Sequence, residues 1–234
     1  MSLWSRWFPG TPPLDPAAAR RLAAWRALSP ASEPVRLDRN RFVVMDVETT
    51  GLSLAGDHLI AIGAVAVKEG RIDLDDSFEV VLQQETSSGK NNILIHGIGG
   101  TAQTGGIAPV EALLRFLEYL GRDPLVAFHV SFDETMTRRA LKKTLGLNFR
   151  HAWLDLAYVA PALYPELARK CRALDDWVEH FHIRNFARHS ALADSLATAQ
   201  LFLVTMETAR QNGIEDFKGL IELEKAQRWI SRTN

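Results

Sequence analysis

The sequence of 234 residues contains a single cysteine, Cys171. One cysteine cannot form an internal disulfide or a cysteine-rich zinc site, so we expect a reducing, intracellular compartment. No apolar run reaches the roughly 20 residues that a membrane-spanning helix needs. The first residues also lack the continuous apolar stretch of a secretory signal. We therefore expect a cytoplasmic protein that has no membrane partner.

The sequence also lacks an excess of charge of either sign. Lys and Arg together number 27, Asp and Glu together number 28, and the net charge is −1. Proteins that hold long duplex DNA non-specifically are usually more basic. A near-neutral chain fits an enzyme that touches few phosphates and cancels charge locally with metal ions. Because 47% of the residues are hydrophobic, the chain can bury a sizeable core.

Prolines separate the start of the chain from the rest, because several of them interrupt the first 16 residues. A short helical pattern follows at Ala17–Leu28. We interpret residues 1–40 as an N-terminal extension whose helix docks on the main domain; a basic, partner-binding arm is the alternative. Residues 41–212 are predicted to form the main domain. Residues 213–234 are predicted to form a C-terminal helix packed on or beside it.

Hydrophobic periodicity in the remaining chain predicts strands first and then alternating helices and strands. Three strands in succession followed by this alternation predict an α/β fold with a mixed sheet and helices packed on it. A polar, glycine-containing loop is predicted at Thr86–Asn92. The predicted strands are Phe42–Met45, Leu59–Val67, Ile72–Leu82, Leu125–Phe128 and His151–Leu154; the predicted helices are Pro109–Leu120, Phe132–Leu145, Ala157–Leu163, Leu174–His180, Ala191–Ala209 and Phe217–Trp229.

Two carboxylates, Asp46 and Glu48, stand two residues apart at the end of the first apolar strand. Because side chains alternate along a strand, both point to one face and Val47 points toward the core. Two buried like charges repel, and a divalent cation with oxygen ligands, Mg²⁺ or Mn²⁺, relieves this repulsion. For the pair alone, a strand end with acids that face water is the better explanation. The Thr-Thr-Gly that follows favours the metal site, because Gly51 permits close approach of a ligand.

A second group, His129 to Asp133, lies where a short strand ends and a helix begins. Open α/β sheets bind ligands at such junctions. Asp133 falls in the first helical turn, where the helix dipole alone also explains an acid. Phe132 fits the core better than a base-stacking platform, and a structural role explains His129 equally well.

A third group, His189 to Asp194, opens the long apolar helix that follows. Ser190 is a candidate N-cap, and Asp194 is an isolated carboxylate among apolar residues. The helix dipole is again the simpler explanation for the acid. Histidine titrates near neutral pH, so His189 suits a general base that activates water.

In chain order, the three groups resemble the Exo I, Exo II and Exo III motifs of the DEDDh 3′→5′ exonucleases. The matching patterns are Asp-x-Glu-Thr-Thr-Gly, His-x-x-Phe-Asp and His-x-Ala-x-x-Asp. Within that family the chain is most similar to the epsilon-type proofreading subunits of bacterial DNA polymerase III. The His-Gly-Ile at His96 and the Asp-Leu at Asp155 are further matches. The resemblance covers about Phe42 to Phe202.

The resemblance implies a ribonuclease-H-like α/β fold. Its mixed five-stranded sheet, with the first three strands antiparallel, is flanked by helices. It also implies phosphodiester hydrolysis at single-stranded or frayed DNA 3′ ends, with release of nucleoside monophosphates, in proofreading or repair. Two Mg²⁺ or Mn²⁺ ions would be held by the acids, with a histidine as general base. The implied catalytic residues are Asp46, Glu48, Asp133 and Asp194, which also bind metal, and His189.

The resemblance further implies a nucleotide-binding region and a partner. The loop after the first motif would receive the terminal nucleotide, and a polymerase or a sliding clamp is the implied partner. Basic residues on the helix after Asp133 would steer phosphates, although a solvated helix face explains them as well. The substrate-binding candidates are Thr49, Gly51, Leu52, His96, His129 and Phe132; the basic residues are Arg138, Arg139, Lys142 and Lys143.

Two positions depart from the family pattern. Val130 stands where the second motif usually has Asn, and Ala61 stands where the second strand often has Glu. Neither position is an implied catalytic residue, so the departures bear on substrate preference. Two alternatives stay open: an RNA-directed 3′→5′ exoribonuclease, and a non-catalytic nucleic-acid-binding module of the same fold.

Overall fold

The structure, a computed structural model, describes residues 13–30, 33–185 and 189–233. The predicted N-terminal extension therefore lies partly outside the described residues. Strands and helices follow in the order α1 Pro16–Ala27, β1 Arg41–Thr49, β2 Leu59–Lys68, β3 Arg71–Val81, α2 Lys90–His96, α3 Gly100–Thr104, α4 Pro109–Leu120, β4 Leu125–Ala127, α5 Val130–Leu145, β5 Trp153–Asp155, α6 Leu156–Leu163, α7 Leu174–His180, α8 Ala191–Gln211 and α9 Phe217–Thr233.

The strands form one five-stranded sheet in the order β3-β2-β1-β4-β5. The first three strands pair antiparallel, and β4 pairs parallel with both β1 and β5. The predicted mixed sheet is therefore confirmed. Glu69 and Gly70 both have positive φ, 52° and 70°, in the two-residue turn between β2 and β3. This conformation suits the right-handed twist of a hairpin.

Helices cover both faces of the sheet, so β1 is apolar on both sides over its first half. Phe42 and Val44 belong to a cluster with residues of α6, α7, α8 and α9. Val43, Met45 and Val47 belong to the opposite cluster, with residues of α1, α4 and α5. The strand runs four residues beyond the predicted apolar segment and ends at Thr49. Asp46 and Glu48 consequently continue the row of Phe42 and Val44, on the α8 face.

The two terminal helices both pack on neighbouring elements. Leu22 and Trp25 of α1 are buried, and the Trp25 indole donates a hydrogen bond to the carbonyl of Gly121 after α4 (2.9 Å). Helix α9 contacts α6 and β5. The division of the chain at residues 40 and 212 stays a prediction. Among the described residues, no helix is both long and apolar enough to cross a membrane.

Two short helices were not predicted. The predicted loop at Thr86–Asn92 is wrong from Lys90 onward, where α2 begins, and α3 follows soon after. Helix α2 does not bury its apolar residues on one face, because Leu94 and Ile95 are both exposed. Gly97 ends it in the left-handed conformation (φ 71°), which is a common way for a helix to end. A helix this short has too few turns to show a periodic apolar face, so the sequence pattern did not reveal it.

Candidate functional site

Three of the predicted acids meet at one end of the sheet. Asp46 and Glu48 on β1 and Asp194 on α8 offer carboxylate oxygens that all lie within 4.8 Å of one another. Asp194 is only 3% exposed, whereas Asp46 and Glu48 are half-buried. Three carboxylates at this separation repel strongly in a low-dielectric environment. Such a set of oxygen donors fits a hard divalent cation.

Gly63 explains how α8 reaches β1. It pairs with Asp46 across the β1–β2 ladder, and a Cβ built on it would lie 2.2 Å from the backbone of Ala191 and Leu192. The hydroxyl of Ser195 donates a hydrogen bond to the Gly63 carbonyl (2.8 Å). The first turn of α8 thus lies directly on the sheet backbone, which brings Asp194 to Asp46. A lone glycine in a strand pattern signals such a close approach, and sequence reasoning missed it here.

The segment before α8 holds the Asp194 carboxylate in place. The backbone amide of His189 donates to one carboxylate oxygen (3.1 Å), and the Asn185 side-chain amide donates to the other (2.5 Å). His189 is exposed and adopts a left-handed conformation with φ 64°. Ser190 is the N-cap residue as predicted, although its side chain makes no capping hydrogen bond. Asn185 lies outside the sequence motifs, so its contact with Asp194 could not be predicted from the sequence.

Asp133 approaches the group from α5, on the other side of β1. Its carboxyl is 4% exposed and accepts a hydrogen bond from the backbone amide of Val47, which lies between Asp46 and Glu48. Burial, together with the charges of Asp155 and Glu48, raises the pKa of the Asp133 carboxyl to about 8. A carboxyl with this environment gains from a nearby cation, which would favour its charged form. The structure thus brings all four predicted acids to the same end of β1.

A network of hydrogen bonds around Asp57 connects the residues of the loop after β1. The Asp57 carboxylate accepts hydrogen bonds from the Thr50 hydroxyl (2.7 Å) and the Ser53 amide (2.8 Å), and these bonds lower its pKa. A Cβ on Gly51 would lie 2.6 Å from this carboxylate. The Arg139 guanidinium donates to backbone carbonyls of the same loop at Leu54, Ala55 and Asp57. Arg139 therefore contacts the loop, in addition to any effect of its charge on phosphates.

The predicted substrate-binding residues differ in exposure. Leu52 is 87% exposed, His129 is exposed and Phe132 is half-buried, while Thr49 is buried. The His96 ring is also buried; its Nδ1 accepts a hydrogen bond from the Ile98 amide (3.0 Å) and its Nε2 lies 3.3 Å from the Ser88 hydroxyl. Burial lowers the pKa of His96. Substrate contact by any of these residues stays a prediction.

A family model described as an exonuclease, of the RNase T type, matches residues 43–202. The chain belongs to this exonuclease family. The match spans both β1 and Asp194, so all the acids described above fall inside the exonuclease region. The predicted family is thereby confirmed.

The relatives of this chain include much longer proteins. The chain is 32% identical over 192 residues to the PolC-type DNA polymerase III of Thermotoga petrophila. The aligned region covers 82% of this chain and 14% of the relative. The chain is 29% identical over 202 residues to the DNA polymerase III subunit epsilon-like protein of Rhodobacter capsulatus. The aligned region covers 85% of this chain and 28% of that relative. The chain thus spans about a seventh to a quarter of these relatives.

The fold is also similar to that of a solved nuclease. E. coli exonuclease I in complex with a dT13 oligonucleotide matches with a TM-score of 0.60 at 17% identity, over 74% of this chain and 42% of that one. At this identity the likeness concerns the fold alone. It agrees with the ribonuclease-H-like architecture expected from the sequence.

Proposed function

We propose that this exonuclease-family chain removes nucleotides from single-stranded or frayed DNA 3′ ends and releases nucleoside monophosphates. The observation that carries the proposal is the convergence of Asp46, Glu48 and Asp194 within 4.8 Å. The buried Asp133 beside them supports it. Four acids from three elements lie together at one end of β1, and a hydrolytic metal site accounts for this convergence.

The donor set fits two divalent ions, Mg²⁺ or Mn²⁺. Asp46, Glu48 and Asp194 would hold one ion, and Asp46 together with Asp133 would hold a second. When bound, such ions supply Lewis-acid stabilisation of the charge on the scissile phosphate and lower the pKa of the attacking water. The exposed side chain of His189, five positions before Asp194 in the chain, would accept a proton from the attacking water as general base.

The loop after β1 suits the terminal nucleotide. Asp57 and Arg139 form hydrogen bonds within this loop, and Leu52 in the same loop is exposed to a ligand. An apolar side chain there offers a surface to a base without reading its edge, which agrees with a sequence-independent exonuclease. Thr49 and Gly51 would line the loop, with His96, His129 and Phe132 near it.

A polymerase or a sliding clamp is the proposed partner class, with proofreading or repair as the setting. The names of the PolC-type and epsilon-like relatives support this proposal. The Gln-Leu-Phe-Leu segment at Gln200, which superficially resembles a clamp-binding motif, lies in α8 with Leu201 and Phe202 fully buried. Any clamp contact would therefore use another part of the chain.

Substitution of Asp46 tests the proposed chemistry. Asp46→Asn keeps the shape of the side chain and removes a ligand charge. We expect it to reduce Mg²⁺-dependent shortening of a 5′-labelled single strand by more than about 100-fold, since loss of even an outer partner of a metal costs about 10–100-fold. Asp75→Asn, at an exposed position on β3, is the matched control and should keep the parent rate.

The same assay separates the alternatives. Parent protein is compared on single-stranded DNA, on duplex DNA with a mismatched 3′ end and on short RNA, with and without chelator. Stepwise shortening from the 3′ end that chelator abolishes supports the proposal. Faster shortening of RNA than of DNA would indicate that RNA is the substrate. Binding without shortening of any substrate would indicate the non-catalytic module.

A further inference from the structure

Asp155 is a buried carboxylate that stands outside the four acids of the site. It is the last residue of β5 and is 1% exposed. One of its oxygens accepts hydrogen bonds from two backbone amides, His129 (2.9 Å) and Ala157 (3.1 Å). The same carboxylate therefore caps α6 and holds the turn before α5. A buried charge of this kind needs a partner of opposite charge.

The C-terminal helix α9 supplies that partner. Arg228 donates from Nη2 to the second oxygen of Asp155 (2.9 Å) and from Nε to Glu224 (2.7 Å). Glu224 in turn accepts a hydrogen bond from the backbone amide of Asp155 (2.9 Å). The guanidinium also lies over the Tyr158 ring, 4.1 Å from its centre. Only the planar guanidinium of an arginine can donate hydrogen bonds at two edges and also stack one face on an aromatic ring.

The turn at His129 needs this support. His129 adopts φ 66°, a conformation that residues other than glycine adopt at a cost in energy. Ala127 pairs with Asp155 in the β4–β5 ladder, so the sheet sets Asp155 directly beside the turn. Asp133 follows as the fourth residue of α5. The hydrogen bond from the His129 amide to Asp155 therefore lies at the start of the helix that carries Asp133.

We propose that Arg228 is a positioning residue for the exonuclease site, acting through Asp155 on the turn that places Asp133. The inference rests on the proposed function, because it assigns Arg228 to that same site. Arg228 neutralises Asp155, whose charge otherwise adds to that of Asp133, and it fixes the Asp155 oxygen that the His129 amide uses. Helix α9 is accordingly part of the catalytic unit, in addition to its packing on α6.

Arg228→Gln tests this role, with Arg232→Gln as the control that removes the same charge from an exposed site on α9. We expect Arg228→Gln to lower kcat on single-stranded DNA by about 10-fold or more, with KM changed little, and to weaken Mn²⁺ binding measured by calorimetry. Amide exchange of a peptide covering residues 127–135 should also become faster. Arg232→Gln should leave all three unchanged. Parent values of kcat, Mn²⁺ affinity and amide exchange in Arg228→Gln would overturn the inference.

A double-mutant cycle separates positioning from general stability. Asp155→Asn keeps an oxygen for the two amides but carries no charge that needs Arg228. If Arg228 acts through Asp155, Arg228→Gln should change kcat by no more than about twofold in the Asp155→Asn background. Additive losses would contradict the inference. Arg228→Lys, which keeps the charge without the fork, should show an intermediate kcat and provides the comparison if Arg228→Gln does not fold.

The metal-binding and exchange measurements do not need the parent to degrade DNA. An inactive parent whose Mn²⁺ affinity still falls in Arg228→Gln would refute the proposed function and keep the link from α9 to Asp133. An active parent whose Arg228→Gln variant keeps the parent kcat, Mn²⁺ affinity and amide exchange would support the proposed function and refute the link from α9 to Asp133.

Discussion

Asp133 and Asp194 occupy the same place in their helices, since each is the fourth residue of α5 or α8 and each is buried. A carboxylate in the first turn gains from the helix dipole, which would suffice if it faced water. The helix dipole does not explain carboxylates that are buried beside Asp46 and Glu48, because the repulsion between the carboxylates then exceeds the stabilisation that the dipole provides. At the scale of single residues, a bound cation would offset the repulsion among these carboxylates.

Asparagine at position 189 tests the general base. Asn tolerates the left-handed conformation of His189 but cannot accept a proton near neutral pH. We expect His189→Asn to lower kcat by about 10²–10⁴-fold and to leave Mn²⁺ binding unchanged in calorimetry.

His182→Asn is the matched control, because His182 is also exposed and also has positive φ (54°). It should keep the parent kcat. A His189→Asn variant as active as the His182→Asn control would remove His189 from the mechanism.

The ordered set of motifs was enough to predict from sequence that four acids share one site, and the structure brings these acids to the same end of β1; the role of His189 stays a prediction. Their partners could not be found this way. Asn185 contacts Asp194, and Arg228 contacts Asp155 across 73 positions of sequence. Both residue types are common on surfaces, and only the tertiary structure brings these two to buried carboxylates.

At the scale of elements, the contact between α8 and β2 decides whether the site forms. Gly63 leaves room for the backbone of Ala191 and Leu192, and the hydroxyl of Ser195 then bonds the Gly63 carbonyl. The long helices and the first strands followed from their periodicity. Helices α2 and α3 did not, because they are too short to show a periodic apolar face.

Alanine at position 63 tests this contact. A methyl group there would meet backbone atoms at 2.2 Å, and backbone moves less readily than a side chain. We expect Gly63→Ala to lower the free energy of unfolding by about 1–3 kcal/mol, measured by urea denaturation. It should also reduce kcat, because Asp194 moves away from Asp46.

Gly99→Ala serves as the control, since Gly99 has φ −61° and a Cβ there would meet nothing within 4 Å. It should change stability by less than about 0.5 kcal/mol. Equal stability and activity in both alanine variants would show that α8 does not depend on this close approach.

At the scale of the whole molecule, the sheet carries one acid pair on β1 and receives a further acid from each side. Helix α8 brings Asp194 over the face that Phe42 and Val44 share, and α5 brings Asp133 around the end of β4. Helix α9 joins the arrangement through Arg228 and Asp155. The sequence predicted the mixed sheet but not this last link, which depends on how the C-terminal helix packs.

Anomalous diffraction from crystals soaked in Mn²⁺ tests the central claim most directly. The account predicts two manganese peaks about 3.5–4 Å apart, bounded by the carboxylates of Asp46, Glu48, Asp133 and Asp194. Crystals of Asp46→Asn should lose at least one of the peaks. Parent crystals with manganese bound elsewhere and no peak among these four carboxylates would contradict the account.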